Sequence, residues 1–126
     1  MLENSKAFSG FAVDDLAAAK TFYGETLGLS VSEQNGLLTL HLADDRDTLV
    51  YPKPDHVPAT YTILNFPVED IDAAVDGLTE HGVTFLRYEN VGQDEKGVAR
   101  GLAAGQGPDI AWFTDPAGNI LSVLHG

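Results

Sequence analysis

Phe11-Ala12-Val13-Asp14-Asp15-Leu16-Ala17-Ala18-Ala19 is echoed 55 residues later by Phe66-Pro67-Val68-Glu69-Asp70-Ile71-Asp72-Ala73-Ala74. Each copy reads as a short apolar strand, an acidic turn and an alanine-rich helix. The aspartates sit where a helix begins and can accept bonds from its free N–H groups, typically worth about 1 kcal/mol. Two similar halves imply a paired architecture, and paired halves commonly place a ligand site between them.

Working outward from the first copy, residues 7–13 alternate as a strand, with Phe8, Gly10 and Ala12 on one face and Ser9, Phe11 and Val13 on the other. Leu16, Ala19, Phe22, Tyr23 and Leu27 recur at helical spacing until Gly28. Residues 29–32 form a strand. Asn35-Gly36 is a tight-turn signal, and in residues 37–43 Leu38, Leu40 and Leu42 alternate with Thr39 and His41. Residues 44–47 make a charged turn before a fourth strand over 48–53. Pro52, Pro54 and Pro58 stiffen the connector that follows, which marks the boundary between halves.

The second half repeats the order. Residues 60–66 read as a strand. Ile71, Ala74, Val75 and Leu78 mark a helix ended by His81-Gly82, and residues 83–88 form a further strand. Residues 110–114 and 119–124 form a hairpin around Asp115-Pro116-Ala117-Gly118-Asn119. Between them lie residues 89–108, with five glycines and little periodicity. A structureless stretch of that length is expected to be functional or mobile. It reads as a lid with an exposed tip at residues 93–97, and Arg100 is placed to reach a ligand or a partner.

Composition narrows the function. The chain has 126 residues and 44% hydrophobic content, which suits one domain with a core of its own. It has no cysteine, so disulfides, thiolate nucleophiles and cysteine-based zinc sites are excluded. No apolar run reaches the length of a membrane span. The polar start, Met1-Leu2-Glu3-Asn4-Ser5-Lys6, lacks the order of a signal peptide, so a cytoplasmic location is expected. The formal charge of −12 repels phosphate backbones, arguing against nucleic acid, and attracts cations.

The doubled strand–helix–strand–strand–strand order resembles the vicinal oxygen chelate superfamily, the glyoxalase, bleomycin-resistance and extradiol-dioxygenase group. Phe22-Tyr23, Leu27-Gly28-Leu29 and Asp115-Pro116-Ala117-Gly118-Asn119 strengthen the likeness, which spans about residues 7–124. It implies an α+β fold of two βαβββ modules, about residues 7–53 and 60–124, within one domain of residues 1–126. Their mixed sheets are expected to form a cup with the helices outside, closed within one chain or across a homodimer.

Metal-dependent members of that group carry His, Gln or Glu on four inward strand positions. Mapped by motif onto this chain, those positions fall at Phe8, Ile63 and Ser122, with Tyr51 the fourth by face. Phenylalanine and isoleucine offer no lone pair, so no metal and no other cofactor is expected. His41, His56, His81 and His125 form no helical i, i+4 pair. His81, at a helix end, suits a structural role, and His125 is expected to be solvated.

The residues left to line the cup are aromatic and apolar with a few polar handles: Phe8, His41, Tyr51, Tyr61, Ile63, Asn65, Trp112 and Ser122. Phe8 and Ile63 serve equally well as core filling. His41 is the candidate catalytic acid or base, because imidazole titrates near neutrality. No nucleophile–base pair is apparent from spacing.

The leading expectation is a metal-independent small-molecule binding protein of the bleomycin-resistance type, taking a cationic or aromatic ligand. The alternatives are a metal-independent isomerase or lyase using His41, and a metal-dependent glyoxalase- or dioxygenase-type enzyme.

Overall fold

The computed structural model describes residues 1–126, which divide into two compact units, Met1–His56 and Val57–Gly126. In the first unit, β1 (Ser9–Val13) leads into α1 (Leu16–Thr21), and then come β2 (Ser30–Gln34), β3 (Leu37–Leu42) and β4 (Arg46–Pro52). The strands order as β1-β4-β3-β2, with β1 parallel to β4 and the rest antiparallel. In the second unit, β5 (Thr62–Pro67) leads into α2 (Ile71–Glu80), followed by β6 (Ala99–Arg100), the single turn α3 (Gly101–Ala104), β7 (Asp109–Thr114) and β8 (Ile120–His125). Its order, β5-β8-β7-β6, repeats the first, again with the outer pair β5–β8 parallel. The fold is therefore α+β, built from two βαβββ modules. No helix is long and apolar enough to cross a membrane.

The echoed aspartates act as read from the sequence. Asp15 Oδ1 accepts from the Ala18 N–H and Asp70 Oδ1 from the Ala73 N–H, each at 3.0 Å. Each helix packs on its own sheet. In the first unit Val13, Ala19, Tyr23, Leu38, Leu40 and Val50 are buried; in the second Ile71, Val75, Ala111, Phe113, Leu121 and Val123 are. The alternating leucines of β3 thus face the helix, leaving Thr39 and His41 on the opposite face.

The first helix does not run on as a regular α-helix. After Thr21 it widens into a π turn, Phe22–Thr26, with the Leu27 N–H donating to Phe22 O five residues back. The wider turn brings Tyr23, fully buried, against the rings of Phe11 and Phe22 at 5.7 and 5.1 Å.

The β2–β3 hairpin closes through Asn35 and Gly36 at φ 55° and 75°. Two consecutive positive φ values are the requirement of the two-residue turn that matches strand twist.

Two expectations for the second unit need correction. Residues 83–88 form no ladder; Phe85 makes one isolated bridge to Phe113. Residues 89–108 are not structureless. They contain β6 and α3, and Val98 is completely buried. Their order comes from side chains. Gln93 accepts from the Tyr88 N–H and donates to Leu86 O and Gly97 O. Asp94 Oδ1 accepts from the N–H groups of Lys96 and Val98, both at 2.9 Å. Arg87 donates to the carbonyls of Asp94 and Glu95. Gly101 sits so close to its neighbours that a Cβ there would collide with Pro108 O.

Candidate functional site

In the second unit the strand register brings side chains from three strands into rows on the sheet face opposite α2. Asn65 of β5 pairs with Ser122 of β8, which pairs with Trp112 of β7. Ser122 is fully buried, and its hydroxyl donates to Asn65 Oδ1 at 2.6 Å. That bond fixes the amide so that its NH2 group remains to donate. Tyr88 meets the half-buried Trp112 ring edge-on at 5.3 Å between centroids.

One flanking row holds Thr62, Ile120 and Thr114. The other holds Pro67, Leu124, Ile110 and Ala99. The face is thus apolar and aromatic around an amide–hydroxyl pair, a composition common in ligand sites. Simple alternation places Tyr61, Ile63 and Asn65 together. A register shift between Thr62 and Leu64 breaks that rule, so Thr62 takes the place opposite Ile120 and the half-buried Ile63 is the inserted residue. Tyr61 lies just before β5 and is 70% exposed.

In the first unit, Tyr51 stands opposite Ala12 on the sheet face away from α1, and Phe8 precedes β1 at 70% exposure. His41 is held at both ring nitrogens. Its Nε2 lies 2.8 Å from Ser32 Oγ and its Nδ1 3.1 Å from Asp47 Oδ1. Sequence spacing alone had offered no nucleophile–base pair, yet the signal was present. The Asn35-Gly36 turn pairs Gln34 with Leu37, and following that register places Ser30 opposite His41 and Ser32 opposite Thr39. Ser32 and His41 are therefore diagonal neighbours on one face.

The positions mapped to metal ligands do not fit a divalent ion. Phe8 and Ile63 have no donor atom, and the Ser122 hydroxyl is buried and bonded to Asn65. Nor does any group of three or more His, Asp or Glu side chains lie placed to hold one. Two other histidines, His81 and His125, bond backbone carbonyls. His81 Nδ1 lies 2.8 Å from Gly77 O, and His125 Nδ1 lies 2.9 Å from Val68 O, so His125 is tied to the backbone although exposed.

Arg100 does not reach out from the chain. Its guanidinium bonds both oxygens of Asp72 on α2, at 2.7 and 3.1 Å, and Asp94 Oδ2 at 3.0 Å. Lys96 joins the cluster through Asp72 and Asp76. The Arg100 bonds, helped by Lys96, hold the Asp72 carboxyl down at about 2. Partial burial pushes the Asp94 carboxyl up, but the Val98 N–H, Arg100 and the Lys96 N–H outweigh it, and the net shift is downward. Arg100 and Lys96 are in turn pushed up, chiefly by their bonds to Asp72 and Asp76 respectively.

Comparison with solved structures places this fold among known ones. An antibiotic binding protein from Streptomyces sp. CB03234, TnmS3, is similar with a TM-score of 0.67 and 24% identity, over 97% of each chain. A glyoxalase family protein from Enterococcus faecalis gives 0.70 at 21% identity, over 98% of this chain and 99% of that one. The fosfomycin resistance protein FosX from Mesorhizobium loti gives 0.64 at 12%, over 98% and 92%. No curated protein matches by sequence. The sequence profile of one family matches residues 8–123, nearly the whole span of the doubled module. The chain belongs to the Glyoxalase/Bleomycin resistance protein/Dioxygenase superfamily.

Proposed function

We propose that this chain is a small-molecule binding protein that holds its ligand without a metal ion. The observation that carries the reading is the Asn65–Ser122–Trp112 row, with Tyr88 against the Trp112 ring. The indole offers a flat apolar surface, and the free Asn65 NH2 can donate to a ligand carbonyl. Holding Asn65 through a buried hydroxyl lowers the ordering cost of binding. The formal charge of −12 favours a cationic ligand, which would be drawn in at long range and stack on the indole. The fold similarity to an antibiotic-binding protein is compatible with this reading.

Metal-dependent chemistry is disfavoured by the donor set, since two of the four family positions carry pure hydrocarbon side chains. The test is metal content. The protein is incubated with nickel, zinc, iron(II) and manganese, freed of excess and analysed by mass spectrometry. Substoichiometric metal is expected. One tightly held ion per chain would overturn the metal-free reading. A homodimer is the expected form from the family resemblance, to be checked by light scattering.

A further inference from the structure

We propose that Ser32, His41 and Asp47 form a second site, built within the first unit, in which Ser32 is a nucleophile toward small activated esters. Adjacent strands of one sheet build it: Ser32 lies on β2, His41 on β3 and Asp47 on β4. His41 is the register partner of Asp47, and Ser32 is its diagonal neighbour.

The hydrogen bonds run in one direction. An ionised carboxylate only accepts, so Asp47 Oδ1 accepts a hydrogen bond from His41 Nδ1–H at 3.1 Å. The neutral ring then carries its lone pair on Nε2, and Ser32 Oγ–H donates to it at 2.8 Å. Hydroxyl, imidazole and carboxylate in that sequence make the constellation by which serine is activated, and it is recognised by geometry and roles, not by fold.

The turn beside it is strained. Asp44 and Asp45, in the three-residue connection that sets His41 opposite Asp47, both have positive φ, 61° and 58°. Side chains rarely adopt that region, and observed strain of this kind clusters at functional sites. β2 is the edge of its sheet, and the three side chains are exposed, so a small substrate can reach them. Leu49, in the same row as Ser32 and Thr39, offers an apolar neighbour to an acyl group.

In the first half-reaction Ser32 Oγ attacks the ester carbonyl while its proton passes to His41 Nε2. The tetrahedral adduct collapses, the C–O bond to the alcohol breaks, and the leaving oxygen takes the proton from Nε2. In the second half, water gives a proton to Nε2 and its oxygen attacks acyl-Ser32. The carboxylic acid leaves, and the proton returns to Oγ. Turnover is expected to be slow, because water reaches the site and keeps the local dielectric high.

The experiment uses p-nitrophenyl acetate with the intact protein, following p-nitrophenolate release and locating the acetyl group by peptide mass spectrometry. The expected result is acetyl on Ser32 and a rate that falls on the order of 10²-fold in Ser32→Ala and in His41→Gln. Asp47 positions the imidazole, so Asp47→Asn should slow acylation and Asp47→Glu should restore part of it. Ser30→Ala is the control and should keep the wild-type rate, with far-UV circular dichroism checking the fold of each variant. Wild-type rates in Ser32→Ala would overturn the proposal, as would acetyl found only on lysine or His41. Trp112 lies in the other unit, so failure here leaves the binding proposal standing and tested separately.

Discussion

Replacing Asp94 with alanine should loosen the whole segment from residue 89 to residue 108. Its carboxylate accepts two backbone N–H groups, those of Lys96 and Val98, and one guanidinium N–H from Arg100. Both backbone donors are partly buried, and losing the shared acceptor costs about 1 kcal/mol for each. The Arg100 pair is partly solvated, so screening reduces it to about 0.5 kcal/mol. The total is about 2–3 kcal/mol. A chain of 126 residues has an unfolding entropy of roughly 0.26 kcal/mol per kelvin, so Tm should fall by about 8–11 °C. Asp94→Asn keeps an oxygen for the backbone donors and should lose about half as much.

The pH dependence has a definite sign. The Asp94 carboxyl is lowered in the folded protein, so it holds its proton less tightly there than in the unfolded chain. Its stabilisation is complete above the unfolded value, about 3.9, and is lost as pH falls through the lower folded value. The Tm gap between wild type and Asp94→Ala should therefore be full at pH 7 and narrow below pH 4. Differential scanning calorimetry at pH 7, 4 and 3 reads both effects. A loss under about 2 °C at pH 7, or a gap that widens in acid, would refute the claim that Asp94 organises this segment.

Asp70→Ala removes the acceptor at the start of α2 and should cost about 1 kcal/mol, or roughly 4 °C in Tm by calorimetry. Asp44→Gly relieves a positive-φ position and should raise stability by up to about 1 kcal/mol in urea titration. Dialysis against EDTA should leave Tm unchanged in a thermal scan, because the family metal positions hold Phe8, Ile63 and Ser122; a drop of several degrees would reveal a structural ion.

The doubled module was legible because its signals are local. Asp15 and Asp70 cap their helices through bonds spanning three residues, and the β3 leucines alternate with the strand period. Residues 89–108 were misread because their order rests on side-chain bonds that leave no periodic trace, from Asp94 to the nearby Lys96 and Val98 N–H groups and from Arg100 to α2. Arg100 reaches Asp72, 28 residues away, and no periodic pattern announces an ion pair of that separation. The π turn after Thr21 was hidden for a different reason: Phe22 and Tyr23 fit regular helical spacing as well as the wider turn. At Ile63 an inserted residue shifted the face assignment, which alternation cannot foresee. Ser32 is the instructive omission. The Asn35-Gly36 turn fixes the register that brings it beside His41, and counting back from that turn recovers the pair.

The most direct test of the central claim is a fluorescence titration of EDTA-stripped protein with a cationic aminoalkyl-anthraquinone dye, whose ring carbonyls can accept from the Asn65 amide, read from Trp112, the single tryptophan. The account predicts saturable quenching at one site without added metal, weakened at least about tenfold by Asn65→Leu, which removes the amide donor. Quenching that appears only after a divalent ion is restored would contradict it.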